Sequence, residues 1–329
     1  MYARRSKLNK IPLILPVVPV YLIVFTVVLS FTKYIFLNYN VNKEIYDNYS
    51  FGSFLFILPS SIIFYICATM TIICHSKAML LHPGTVNPKF NFLIDKADNN
   101  KNIISSFCSK CNKHRPERAH HCKICKMCIL KYDHHCPWIA NCIGVNNQKY
   151  FLQFLFYAVI GNLIAFMCLL TKVFNVNLRK NNIKDHSILG VFYAVSDKLI
   201  LICGTILSIA MVISIGYLLY IMTSLILHNA TTVETLKLKY GEYPKYYDKN
   251  KFNSWRIVMG FNWKEWFIPK ISLNKYNNGY TFGKLNDIIN IENIKDILND
   301  NNSNYESDKK CINDLDNKDY TNLNSDQCI

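Results

Sequence analysis

Charge is scarce in four long stretches of this 329-residue chain, and none of them shows a polar face. They are residues 12–37, 51–75, 150–174 and 199–228, and each supplies the about 20 mostly apolar residues that cross a bilayer. Lack of a polar face excludes ordinary amphipathic helices packed on a soluble core. Lack of charge at mid-depth argues against an ion channel or transporter. No small-residue cleavage site follows the first run, and its apolar stretch exceeds a signal core despite Arg4, Arg5 and Lys7 in front of it. A retained helix is expected there. No repeat of solenoid period is visible. Acid is also in short supply, with 22 Asp and Glu against 37 Lys and Arg, a formal charge of +15.

The cations are not spread evenly. Residues 1–10 hold 4 Lys and Arg, 76–149 hold 12, and 14 follow residue 228. The 38–50 connection has only Lys43, and 175–198 has four. Cytosolic loops carry the Lys and Arg excess, so both termini and the long middle loop are expected in the cytosol. Charge gathered around helix ends suits a membrane-facing collar better than a nucleic-acid surface, and no nucleic-acid partner is expected. After residue 270 six Lys meet ten acids in an Asn- and Asp-rich tail. Apart from a marginal surface helix across 285–297, disorder is expected there beyond about residue 300.

Thirteen cysteines do not form a disulfide framework in a reducing compartment. Seven of them (108, 111, 122, 125, 128, 136 and 142) fall within 35 residues of the middle loop, beside His114, His120, His121, His134 and His135. Cys108/Cys111 and Cys122/Cys125 are Cys-x-x-Cys pairs, a spacing that lets two sulfurs share one tetrahedral ion. Eight sulfurs for two all-cysteine sites do not exist. Two Cys₃His sites would use six, leaving one over. Cys128, Cys136 and Cys142 are the candidates, and Cys136 alone lies against histidines with an acid one step back, in Asp133-His134-His135-Cys136. Thiol, base and orienting acid are the parts of an activated nucleophile. A Cys₃His zinc site has a net charge of −1, so activation would fall to His134 and Asp133 rather than to the metal.

The loop reads C-x2-C-x4-P-x-R-A-H-H-C-x2-C-x2-C-x4-D-H-H-C-P-W-x2-N-C-I-G-x2-N without a gap. It resembles the cysteine-rich domain of the DHHC palmitoyltransferases, the protein S-acyltransferases. "TTVE" at 231–234 resembles that family's TTxE motif. The resemblance implies an all-α integral membrane protein with four transmembrane helices. A small zinc-bound cysteine-rich domain (108–146) would occupy the cytosolic loop 76–149, between the second and third helices. The TTxE and C-terminal motif region would span 229–270. Carried over residue by residue, it implies Cys108, Cys111, His121 and Cys128 for one structural zinc ion. Cys122, Cys125, His135 and Cys142 are implied for the second. Cys136 is then the nucleophile, His134 its base and Asp133 the orienting acid. Three departures stand out. His82-Pro83-Gly84 replaces Asp-Pro-Gly, with an Asp contact expected to be lost. Arg115 replaces a lysine before Pro116, and Ser254 takes the place of an asparagine in the C-terminal motif.

The implied reaction moves a long-chain acyl group from palmitoyl-CoA or a similar acyl-CoA, through acyl-Cys136, to cysteines of cytosolic-side proteins. Arg115, Arg118 and Lys131 are candidate partners of the CoA phosphates. Membrane lipid is a further expected partner, and a Golgi or ER membrane the expected compartment, with the plasma membrane or another organelle as alternatives. The rival function is a catalytically inactive, membrane-tethered zinc-binding interaction module, which leaves the Asp-His-His-Cys order unexplained. Gly161 lies eleven residues beyond Tyr150, roughly 16 Å deeper at 1.5 Å per residue. It is the expected position for the end of a long acyl chain, with close helix packing as the alternative role.

Overall fold

A computed structural model describes residues 15–44, 51–87, 90, 105–178, 188–238, 250–270 and 279. The segment 1–11, most of the tail 271–329, and Cys311 and Cys328 within it lie outside these residues. In hydrocarbon every backbone N–H and C=O must be satisfied within the segment, and the four apolar runs accordingly form helices. They are α1 (Val17–Glu44), α2 (Phe51–Leu80), α3 (Gln148–Leu178) and α4 (Ile188–Leu227). Their membrane-length apolar portions are Val17–Ile35, Ile57–Leu80, Gln148–Thr171 and Lys198–Leu227. Phe25, Ile62, Met167 and Ile213 point outward, where lipid is the natural neighbour.

Inside the bundle, Phe31 of α1 stacks on Phe64 of α2 with ring centroids 4.0 Å apart. Where α1 meets α4, a Cβ added at Gly204 would lie 2.5 Å from the Ser30 Cβ, so only glycine permits this approach. Ser30 Oγ uses that closeness to reach Ile200 O at 3.3 Å, besides Thr26 O in its own helix. Small residues and short polar links hold helices together where lipid removes the hydrophobic driving force. α3 is the most enclosed helix, packed against both α2 and α4.

Among the described residues between α2 and α3, the chain makes three antiparallel hairpins. They are β1 (Ser105–Cys108) with β2 (Lys113–Pro116), β3 (His120–Cys122) with β4 (Met127–Ile129), and β5 (His134–Cys136) with β6 (Asn141–Ile143). Two-stranded ribbons are marginal alone, so their stability must come from cross-links and docking. Asn141 docks the last one. Its Nδ2 reaches the α2 carbonyls of Ala78 and Met79 and that of Leu81, at 2.8 to 3.1 Å, capping a helix end that would otherwise leave them bare. Asn147 Nδ2 adds bonds to Ala78 O and Cys142 O. In the turn after α2, His82 Nδ1 accepts from Gly84 N at 3.1 Å, so histidine supplies a turn acceptor of its own. Gly84 has φ +99°, and a side chain there would also strike Val145.

Beyond α4 come α5 (Thr232–Leu238) and α6 (Lys251–Met259), the latter capped by Asn250 Oδ1 accepting from Asn253 N. Ser254 is buried and Asn253 exposed. The following turn, Trp263–Trp266, is strapped to the helices. Gln153 Nε2 donates to Trp266 O and Ile268 O, Tyr157 Oη to Phe267 O, and Lys77 Nζ to Pro269 O.

Candidate active site and metal centres

The hairpins repeat every 14 residues. Cys108, Cys122 and Cys136 are equivalent, and so are Asn112, Lys126 and Ala140, all three with φ between 50° and 56°. The His and Cys that face each other across a hairpin recur as well, with His121 opposite Cys128 and His135 opposite Cys142. Each donor group combines the Cys-x-x-Cys turn of one hairpin with the His/Cys pair of the next. Cys108, Cys111, His121 and Cys128 gather within 4.8 Å of one another, as do Cys122, Cys125, His135 and Cys142. Three nitrogen–sulfur or sulfur–sulfur contacts of 3.4 to 3.5 Å bind the second group together. Both groups offer the soft, compact donor set of a structural tetrahedral site. This period is shorter than the roughly 20–50 residues of most repeat architectures, and the spacing of Cys108, Cys122 and Cys136 is its signal in the sequence.

Cys136 belongs to neither group. Strand alternation explains why: His135 turns toward Cys142 and the second donor group, and its neighbours His134 and Cys136 face the other way. Ile139 stands where the first two hairpins carry their second turn cysteine. Cys136 is 4% exposed and borders a cavity of about 280 Å³ among α1 to α4, whose walls include Val27, Phe151, Tyr157, Gly161 and Met211.

His134 lies between an acid and this thiol. Its Nδ1 donates to Asp133 Oδ2 at 2.7 Å, and the ring also hydrogen-bonds Cys136. Burial alone would lower its pKa. The bond to Asp133 and then that to Cys136 outweigh burial and raise it from 6.5 to about 9. Asp133 is fixed from the far side by TTVE. Thr232 N donates to Oδ1 and Thr232 Oγ1 to Oδ2, both at 2.8 Å. Glu234 of the same motif takes a two-pronged ion pair from Arg118, at 2.6 and 2.8 Å, and Arg118 also reaches Asn229 Oδ1 and O. Hairpins and α4 are thereby locked together at the site.

The three candidate phosphate contacts differ in their surroundings. Arg118 is 1% exposed and paired with Glu234 and Asn229. Lys131 is 4% exposed beside it. Burial, and next the Arg118 charge, bring its pKa down to about 7. Arg115 alone of the three stays partly accessible, with Nε on Ser106 Oγ at 3.0 Å.

A sequence model of the family "DHHC palmitoyltransferase" matches residues 101–239. Probable protein S-acyltransferase 15 of Arabidopsis thaliana is 31% identical over 242 residues, covering 69% of this chain and 89% of that protein. The chain belongs to the DHHC palmitoyltransferase family. Palmitoyltransferase ZDHHC3 of Homo sapiens is 40% identical over 115 residues, 34% of this chain and 38% of its own. The chain matches only about half the length of another relative, Probable protein S-acyltransferase 13 of Arabidopsis thaliana, covering 51% of it at 29% identity. In this DHHC protein the matched segment carries both donor groups, the Asp133–His134–Cys136 constellation and TTVE.

Proposed function

We propose that this DHHC protein is a protein S-acyltransferase that carries a long-chain acyl group on Cys136. One observation carries the reading: Cys136, alone among the seven loop cysteines, lies outside both donor groups, and it opens on the apolar cavity beside His134. Cys136 Sγ gives its proton to His134 Nε2, the nitrogen that Asp133 leaves uncommitted, in a resting thiolate–imidazolium pair that the raised His134 pKa favours, and the thiolate attacks the carbonyl carbon of an acyl-CoA. The acyl–Cys136 bond forms as the acyl–CoA bond breaks, and the CoA sulfur takes up the proton. An acceptor cysteine then passes its proton to His134 and attacks acyl-Cys136, releasing the Cys136 thiol. One thioester replaces another, so no further energy source is required. Asp133 holds His134 in the Nδ1–H tautomer and supports its positive charge. The acyl chain is kept from water in the cavity. Arg115 remains the candidate contact to CoA phosphate.

Two zinc ions fit the donor groups as staples, one joining the first hairpin to the second and the other the second to the third, supplying folding energy rather than chemistry. The Lys and Arg distribution supports cytosolic termini and a cytosolic catalytic loop, hence acceptor proteins on that side. The purified protein, incubated with palmitoyl-CoA, is expected to gain a hydroxylamine-labile acyl group on the Cys136 peptide. Cys136→Ser should lose it while keeping two zinc ions per chain. An adduct on another cysteine, or loss of one zinc in the mutant, would overturn the assignment.

A further inference from the structure

His75 lies in α2, within the membrane-length portion of that helix, and is 1% exposed. It takes no part in the chemistry above. Its Nε2 stands 3.1 Å from Trp138 O, in the turn that follows Cys136. Its Nδ1 stands 3.1 Å from Tyr21 Oη of α1, and Tyr21 Oη stands 3.1 Å from Ser76 Oγ. The direction of this relay follows from its last member. A carbonyl only accepts, so Nε2 donates to Trp138 O; in the neutral ring Nδ1 then accepts from Tyr21, and Ser76 donates to Tyr21. Edge-on rings of Tyr21 and Phe154, both at 5.1 Å, fix the imidazole plane. Every member has a partner, in surroundings dry enough to make each bond worth more than in water.

The Trp138 carbonyl is two residues from the nucleophile, and its indole is half-exposed against the cavity that receives Cys136. We propose that His75 is a positioning residue for acyl transfer: by holding the Trp138 peptide, it sets the aim of Cys136 at the mouth of the acyl cavity. This rests on Cys136 being the nucleophile. Two arms leave the imidazole, and they are separable by substitution. Glutamine places an amide nitrogen, Nε2, where histidine has Nε2, and so keeps the arm to Trp138. Asparagine places its carbonyl oxygen near Nδ1 and keeps only the arm to Tyr21. A residue that merely fills space, or that merely joins α1 to α2, would not rank these two in that order.

The test compares His75→Gln, His75→Asn, His75→Leu and Tyr21→Phe as full-length proteins, by the rate of acyl loading from palmitoyl-CoA and by thermal stability. His75→Gln should stay near the wild-type kcat. His75→Asn and His75→Leu should lose about tenfold in kcat, the effect of one positioning hydrogen bond, with KM for acyl-CoA unchanged. Tyr21→Phe, which keeps the arm to Trp138, should likewise stay near the wild-type kcat. Equal losses in the Gln and Asn variants that follow their melting temperatures would assign His75 to folding alone and overturn the proposal. So would a rise in KM with kcat preserved. Cys136→Ser, run beside them, separates the two levels: if it still loads acyl groups the nucleophile is wrong, and if it is dead while His75→Leu is unimpaired only the positioning role fails.

Discussion

Asp133→Asn removes the charge of this carboxylate and keeps its shape. In the wild type its oxygens accept from three donors: His134 Nδ1, Thr232 N and Thr232 Oγ1. An asparagine has one oxygen and one NH₂, so one side must face a mismatch. If the NH₂ is set against Thr232 N, two donors collide in a buried place, at about 1–3 kcal/mol. If it is set against His134, the imidazole must turn to the Nε2–H tautomer, and the nitrogen facing the thiol no longer accepts a proton. The second arrangement is cheaper, since Thr232 Oγ1 can rotate to donate elsewhere. The raised pKa of His134, about 9 against 6.5, measures what is at stake. At 1.36 kcal/mol per unit it is about 3 kcal/mol of preference for the imidazolium, shared between Asp133 and Cys136. Loss of a well-placed base slows such a step by roughly 10²–10⁴. Single-turnover loading of Cys136 from palmitoyl-CoA, measured from neutral to alkaline pH, reads this out. The wild-type rate should be flat across neutral pH. The mutant should be slow at neutrality and climb with pH, because solvent base must replace His134. A folded mutant with two zinc ions, the wild-type rate and the wild-type profile would remove Asp133 from the mechanism.

Cys142→Ala should cost the second metal site and with it the attachment of the third hairpin, read as loss of one zinc per chain and of all acyl loading; a well-folded, active mutant would contradict this. Gly161→Phe should shift preference toward shorter acyl-CoAs in a competition between twelve- and sixteen-carbon donors, since a Cβ there already meets Cys67 Cβ at 3.3 Å and a ring must turn into the cavity. An unchanged profile in a stable, active mutant would refute it. Lys131→Met probes pH dependence. With a folded pKa of about 7, below its unfolded value, Lys131 leaves the unfolded chain binding more protons between about pH 7 and 10, so wild-type stability relative to the mutant should rise with pH in that window. A gap that stays constant between pH 7 and 9 would show that Lys131 does not titrate there.

Counting was enough to suggest a spare thiol, because ligand number is a property of composition and needs no coordinates. The helices were equally plain, since lipid demands long uninterrupted apolar runs. What escaped were contacts between residues far apart in the chain. Arg118 was read as a candidate CoA contact, and its ion pair stayed invisible because its partner Glu234 is 116 residues away. Thr232 sits 99 residues from Asp133, and nothing in the spelling of TTVE says that its threonine binds the acid of another motif. His75 was hidden for the opposite reason, as one polar residue in an apolar run, whose partners come from another helix and a distant turn. The short hairpins were missed because Cys-x-x-Cys spacing reports a shared ion and says little about the strands that present it.

The 14-residue repeat makes the reactive thiol a matter of arithmetic along a line. Joints form only between neighbouring hairpins, so three hairpins have two joints, and the last one always carries a turn cysteine with nobody beyond to share it. Add a fourth hairpin, with a second cysteine in place of Ile139, and Cys136 would become one more fastening. Stop one hairpin earlier, and Cys122 and Cys125 would be left unclaimed together, with no Asp133–His134 pair beside them. The array is as long as it must be to bring its unspoken-for end to the membrane.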